Sequence, residues 1–511
     1  MTCKAFGRGS PGADVDARQP RSGDGISLCE GVGMAVTAEE HEVRLDTHSI
    51  EPIPEADRDS TGWRQFWIWA GANIAPINWI LGALGIVLGL GLLETILIVV
   101  LGNLIGCAIF AACTVMGHKT AVNQMVLSRS ALGRRGGYLS SWMQFLMTMA
   151  WIGVNTYFPV LLAMGILGHF GVDDTFAMRF IVVTVIMIIQ VFIGVYGFYL
   201  IQAFEKYTVP VMFGIFLLMS FLAWSRKGIV DWGLTSQLTG AARFSSITGL
   251  ITATGVGWGI SWVTWASDYS RFVPKTVSSK KVFWYSYLGL FIPTVWLAIL
   301  GATIASRDAT TDPARLVSDV FGGFVAILVM LLVLHGPIAT NILNVYSSAL
   351  AAKSAGIRLS RRTLGIMAGV VGYLVTLWFL KDADFASKFD SWMVGLVLWM
   401  SPWVGVVLAD FYLVRKKKID VPQLYADPQS SIYGDVNWVG ILAFPIGLFA
   451  GWLVLYGLVG PLQGWVSTKW LNGADLSWLV GIVVGGGIYL IGMRGRVAAP
   501  TPDRVASAAG S

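Results

Sequence analysis

Twelve apolar blocks, each close to 20 residues long, govern what this chain can become. They cover roughly 66–88, 92–116, 140–167, 177–199, 204–224, 247–266, 282–305, 320–350, 363–381, 390–413, 437–459 and 476–493. Helix of that length rises about 30 Å, the thickness of a bilayer's hydrocarbon. Inside hydrocarbon every backbone N–H and C=O needs an internal partner, so the blocks are expected as helices crossing a membrane. Composition agrees: 55% of the 511 residues are apolar, 13% are charged, and the mean hydropathy is +0.66. A soluble domain carries about 25% charged residues. An ordinary soluble enzyme, a disordered chain, a collagen and a disulfide scaffold are therefore excluded. The 22 Trp and 59 Gly suit packed membrane helices with aromatic belts. Cys3, Cys29, Cys107 and Cys113 form no CxxC pair, and Cys107 and Cys113 read as small packing residues.

Charge then orients the bundle. Residues 1–62 hold six basic and twelve acidic side chains, −6 net, which leaves +12 on the remainder of a chain of net +6. The basic residues lie in short runs between apolar blocks, unlike the one-faced footprint of a nucleic-acid binder. Four alternate loops are the richest: Lys119, Arg129, Arg134 and Arg135; Arg271, Lys275, Lys280 and Lys281; Lys353, Arg358, Arg361 and Arg362; Arg415, Lys416, Lys417 and Lys418. The positive-inside rule makes these loops cytoplasmic and places both termini on that side of the cell membrane. Residues 1–62 and 496–511 are expected as mobile tails. No signal-peptide pattern is expected at the start. A Gly/Arg/Ser-rich stretch before Met34 makes Met34 the expected start, which peptides from residues 1–33 in a mass spectrum would reject.

Two blocks read poorly as continuous helices. The first contains Trp69-Ala70-Gly71-Ala72-Asn73-Ile74-Ala75-Pro76-Ile77-Asn78, and the sixth contains Thr252 to Trp262 with Gly255, Gly257 and Gly259. Gly and Pro weaken a helix, and Asn at that depth is costly unless it meets a partner or a cavity. Small-residue helix contacts, as at Gly102-x-x-x-Gly106, are the competing explanation. Interruptions in the first and sixth spans correspond if spans 1–5 and 6–10 are repeats. Such pairs point to the central site of a transporter, where freed carbonyls hold a cation.

Particular segments resemble the nucleobase–cation symporter-1 family, the purine/cytosine permeases and hydantoin or allantoin carriers. They are Trp69–Ile74; Asn123–Arg129 with Gly133, Gly136 and Gly137; Trp151-Ile152-Gly153-Val154-Asn155; Trp265–Pro274; and Asn341–Leu350. The resemblance runs from about residue 50 to 495 and implies an all-α membrane fold of twelve helices. That fold is LeuT-like: inverted repeats at 63–224 and 225–413, discontinuous helices 1 and 6, and peripheral spans at 414–495. It also implies a planar heterocycle between aromatics of spans 3 and 6, its edge read by amides of spans 3 and 8. Trp151 matches the span 3 aromatic, with Asn155 one turn on. Trp258 beside Gly257 matches the span 6 aromatic, with Trp262 the competitor. Asn341 matches the span 8 amide, with Asn344 nearby. Gln144 and Thr148 are weaker candidates for the same cavity.

For the coupling ion the resemblance implies carbonyls near Gly71 and Ile74, beside Asn73, facing span 8. The expected span 8 hydroxyls fall at His335 and Gly336, with Thr340 the nearest hydroxyl. Sodium prefers oxygen ligands, so His335 is the alternative, as a proton carrier. Asp268 and Arg271 read as a gate or structural pair. The expected function is symport of a nucleobase or related planar heterocycle with a proton or sodium; the alternative is allantoin, hydantoin, a vitamin precursor or another small solute. No organic cofactor is expected. A membrane enzyme needs a clustered set of His, Cys or carboxylates, and of five His only His335 falls in a span. A channel would show pore-lining rings. Amino-acid transport needs a carboxylate contact more than a Trp with an amide one turn away.

Overall fold

The computed structural model describes residues 50–196, 198–381, 385–458 and 460–496. The expected start at Met34, and the tails over 1–49 and 497–511, lie outside the described residues. Residues 50–61 correct the expected extent of the first tail. Ile53 and Arg58 are buried, and Arg58 donates to the carbonyls of His118 and Val273. Ser60 N–H donates to Phe272 O at 3.1 Å. This short acidic stretch is held by the carbonyls of two helix ends, which composition does not reveal.

The described chain is helical throughout. We label α1 (Gly62–Asn73), α2 (Ile77–Val87), α3 (Leu92–Thr120), α4 (Gly137–His169), α5 (Phe176–Tyr196), α6 (Phe198–Ser225), α7 (Gly240–Leu250) and α8 (Gly257–Ser261). These are followed by α9 (Ser279–Ala305), α10 (Gly323–Ser354), α11 (Arg361–Leu380), α12 (Phe385–Leu408), α13 (Trp438–Leu453) and α14 (Ser477–Gly492). Starts follow capping chemistry. Thr61, Ser278, Ser360 and Asn437 each accept a backbone N–H of the first turn.

Among the described residues six helices are long and apolar enough to cross a membrane, and the α1–α2 pair, bent by 55°, makes up to seven. Val209–Ser225, Gly323–Ile338, Trp438–Leu453 and Ser477–Gly492 are shorter apolar stretches. On α5, Phe180, Ile181, Val185, Ile188 and Ile189 all face outward. Such a continuous apolar flank suits lipid contact. Inside, α4 packs on α10 and α11, α9 on α2 and α3, and α12 on α13 and α14. Small residues let backbones approach: a Cβ on Gly82 would stand 1.8 Å from Ala298 O.

The first interruption is a true break. Pro76 cannot donate to the helix, and α2 restarts at Ile77. At the break Asn78 Nδ2 donates to Asn73 O (2.5 Å), and Asn73 Nδ2 donates back to Trp69 O within α1 (2.9 Å). The second is softer. A π-helix over Ile251–Val256 joins α7 to α8, then turns at 262–265 lead to a short helix at Ala266–Ser270. Asn103 Nδ2 of α3 donates to Thr254 O at 3.0 Å. Gly106 and Gly259 meet there: a Cβ on Gly259 would lie 2.0 Å from Gly106 C. The small-residue explanation and the irregular-helix explanation thus both hold in this segment.

Candidate functional site

The two interruptions face each other. Trp258 Nε1 donates to Asn73 Oδ1 at 3.0 Å, and Thr294 Oγ1 donates to the same oxygen at 3.2 Å. Beside this junction lies a cavity of about 490 Å³, counted with its open mouth. The first break contributes Ala72, Ala75 and Ile77, and α4 contributes Trp151 and Asn155. The sixth segment contributes Trp258, Ser261, Trp262 and Trp265, and α10 contributes Pro337, Thr340 and Asn344. Apolar walls with a few polar groups are those of a small-molecule site.

The aromatic walls are four indoles. Trp151 and Trp258 stand 6.1 Å apart at 82°, and Trp258 and Trp262 stand 6.2 Å apart at 78°. Edge-to-face contact is what adjacent ring quadrupoles favour. A planar ligand between Trp151 and Trp258 therefore requires one ring to turn. Both Trp258 and Trp262 line the cavity. Trp265 joins them; its spacing of seven from Trp258 was a readable signal.

The amides divide. Asn155 is buried, lines the cavity and makes no side-chain hydrogen bond among the described residues. Asn344 also lines it, and its Nδ2 donates to Asn341 Oδ1 at 3.2 Å. Asn341 does not line it. Its Nδ2 donates to Ile152 O (3.0 Å), Thr156 Oγ1 (2.9 Å) and Gln190 Oε1 (3.3 Å), tying α10 to α4 and α5. Of the two span 8 candidates, Asn344 lines the cavity and Asn341 does not. The expected place for Gly257 changes too: it packs against Val397, 2.7 Å from where a Cβ would stand, rather than on the cavity. Gln144 and Thr148 bond to each other, Nε2 to Oγ1 at 3.3 Å, and are also absent from the lining.

The expected cation residues scatter. Asn73 spends its side-chain oxygen on Trp258 and Thr294 and its carbonyl on Asn78, so it locks the break instead of offering a ligand. Ile74 N–H closes α1 on Ala70 O at 2.9 Å. Gly71 faces Val209, 3.7 Å from where its Cβ would stand. Gly336 approaches the break: its Cβ would lie 3.9 Å from Pro76 Cδ. Thr340 Oγ1 donates to Gly336 O at 3.1 Å and reaches the cavity. His335 lies half-buried one residue before Gly336 on α10. Among the described residues no group of three or more His, Cys, Asp or Glu is arranged to hold a metal ion.

Away from the cavity, Asp268 Oδ1 accepts Gln124 N–H at 3.2 Å, and Ser267 Oγ donates to Gln124 Oε1 at 2.5 Å. These bonds fasten the end of the sixth segment to the loop after α3. Cys107 and Cys113 are buried free thiols, as packing residues should be.

Solved structures share this fold. The chain superposes on inward-facing Mhp1 with a TM-score of 0.71 at 20% identity, covering 89% of this chain and 94% of that one. The closed form of Mhp1, a nucleobase-cation-symport-1 family transporter with bromovinylhydantoin bound, gives 0.69 at 20% identity over 88% and 95%. In sequence the chain is 24% identical to YxlA of Bacillus subtilis, over 89% of this chain and 97% of that one. It is 26% identical to the purine-cytosine permease FCY2 of Saccharomyces cerevisiae, over 86% and 82%. With residues 52–481 matching the family model, the chain belongs to the permease family for cytosine/purines, uracil, thiamine and allantoin.

Proposed function

We propose that the chain is a secondary transporter that carries a nucleobase or related planar heterocycle across the cell membrane together with a cation. Asn155 is the observation that carries this reading. Its amide lines the cavity one turn from Trp151, with Trp258 on the same cavity wall. An amide offers both a donor and an acceptor, matching the mixed edge of a base. Asn344 and Thr340 add polar contacts on the facing helix. With no charged side chain on the cavity wall, a neutral solute fits better than an amino acid.

The twelve-span count, the two inverted repeats at 63–224 and 225–413, the discontinuous first and sixth helices and the cytoplasmic termini belong to the same reading. The facing interruptions and the Mhp1-like fold support it. Rocking one bundle against the other would expose the cavity to each side in turn. For the cation, the two readings are sodium on oxygens near Gly71, Ile74 and Thr340, and a proton carried by His335.

Uptake of radiolabelled base into proteoliposomes tests this, with cytosine, adenine, uracil, allantoin and hydantoin as competitors and sodium and pH gradients imposed separately. Uptake driven by one gradient, blocked by one planar base and lost in Trp151→Ala, is expected. No uptake and no competition would leave only the fold.

A further inference from the structure

Residues 50–60 run as a strap across one end of the bundle. Pro52 and Pro54 stiffen it, and it carries four acidic side chains, Glu51, Glu55, Asp57 and Asp59, against one basic, Arg58. Ile53 N–H donates to Ala121 O at 3.0 Å, Ser60 N–H donates to Phe272 O at 3.1 Å, and Lys275 N–H donates to Glu55 Oε1 at 2.9 Å. Arg58 reaches inward to the carbonyls of His118 and Val273, and donates to Glu55 Oε2 at 2.8 Å. The strap thus grips the end of α3 and the loop after the sixth segment, and it runs on into α1.

A further bond leads away from this group. Tyr425 OH, on the connection between α12 and α13, donates to Ile50 O at 2.6 Å. The Tyr425 turn is fastened elsewhere: Arg129 Nη1 donates to Leu424 O at 3.2 Å and Arg134 Nε to Ala426 O at 2.7 Å. Arg129 Nη2 also donates to Ser354 O, at the last residue of α10, at 3.1 Å. The two groups therefore serve opposite sides of the cavity. The strap is continuous with α1 and bonded to the end of the sixth segment, the source of Ala72, Trp258 and Trp262 on the cavity wall. The Tyr425 turn is held to α10, the source of Thr340 and Asn344. Gln124, through its bonds to Ser267 and Asp268, is another tie between the sixth segment and the loop that carries Arg129.

Rocking one side of the cavity against the other must lengthen or break a bond that spans them. The strap is poised to let go. Arg58 is 3% exposed, its Nε has no hydrogen-bond partner among the described residues, and its carboxylate partner Glu55 is 50% exposed. A buried guanidinium met by carbonyls and a solvated carboxylate recovers its hydration on leaving, which offsets part of what its bonds contribute. We propose that residues 50–60 are a latch caught by Tyr425. Engaged, the latch holds the two sides of the cavity together at this end, and its release precedes opening there. The inference rests on the transport reading, under which the basic loops put this end at the cytoplasm.

Two measurements on the reconstituted full chain, carrying Cys3→Ser and Cys29→Ser and free of substrate, test this. In the first, spin labels on Ala56→Cys and Gln429→Cys, both exposed, report the strap-to-turn distance by electron–electron resonance. Tyr425→Phe keeps the ring and removes the donor, and should raise a longer-distance population roughly fivefold, the weight of one hydrogen bond. Arg58→Met should raise it further; if that variant does not fold, Tyr425→Phe decides alone. In the second, a membrane-impermeant methanethiosulfonate applied to everted vesicles should label Ser261→Cys, on the cavity wall, faster by a similar factor in Tyr425→Phe. Unchanged distances, or changed distances with unchanged labelling, would overturn the latch and leave the strap a fixed part of the scaffold. Neither readout uses the heterocycle, so their failure is separate from a failure of uptake.

Discussion

The two helix interruptions start from similar sequence and reach different structures. At Asn73–Ile77 a proline breaks the helix with a 55° bend, and the Asn78 amide takes the Asn73 carbonyl left at the break. At Ile251–Val256 the chain has no proline and keeps its helical path by widening to a π-helix, clamped by glycine contacts to α3. A proline removes a donor outright, so the first segment needs polar repair. Glycine only lowers the cost of irregularity, so the second needs close packing to hold its shape. The bond from Trp258 to Asn73 joins a repaired break to a clamped bulge.

That contrast is breakable. Gly106→Leu should have the largest effect. Its first added atom would fall 2.3 Å from Val256 O, on backbone that has no room to move. Overpacking of that kind costs about 1–3 kcal/mol or more, and folded monodisperse protein should be lost on size exclusion. Survival with an unchanged thermal midpoint would show the clamp to be dispensable. Next, Trp151→Ala should weaken substrate binding by roughly 5- to 150-fold, the equivalent of about 1–3 kcal/mol of base stacking, measured by calorimetry.

Two amides sharpen the comparison of cavity with scaffold. Asn155→Ala should lower affinity by roughly tenfold, about 1.4 kcal/mol, and leave the thermal midpoint near the parent's. Asn341→Ala should do the reverse, costing about 1–2 kcal/mol of stability because Gln190 and Thr156 lose their partner. Equal behaviour of the two would erase the distinction drawn between them. The smallest effect is the coupling between interruptions. Asn73→Ala and Trp258→Phe, separately and together, should be non-additive by about 0.5–1.5 kcal/mol in substrate binding. Additivity would mean that the two segments act independently.

The site was partly legible from sequence. Trp151 and Asn155, four apart on one apolar helix, were readable because helical spacing puts them on one face. Trp262 and Trp265 share a face with Trp258 by the same logic. Asn341 and Asn344 stayed alternatives in the sequence because type and neighbourhood cannot distinguish an amide aimed at a cavity from one aimed at a neighbouring helix. One turn separates Asn341 from Asn344, and only the rotation of α10 against α4 decides between them. The packed stretch at residues 50–61 misled for a similar reason. Its composition is that of a tail, and its anchors are carbonyls at the ends of other helices.

The sequence alone determined that this chain forms apolar helices, where two of them weaken, and which family it resembles. Those properties follow from local composition, because hydrocarbon leaves the backbone no alternative to internal hydrogen bonds. Only the tertiary structure decided which polar groups are spent and which are spare. Asn73, Asn341 and Asp410 are saturated by partners up to 280 residues away, while Asn155 and Arg58 keep unbonded polar atoms. Hydrogen-bond satisfaction depends on neighbours brought together by packing, and no spacing along the chain encodes it.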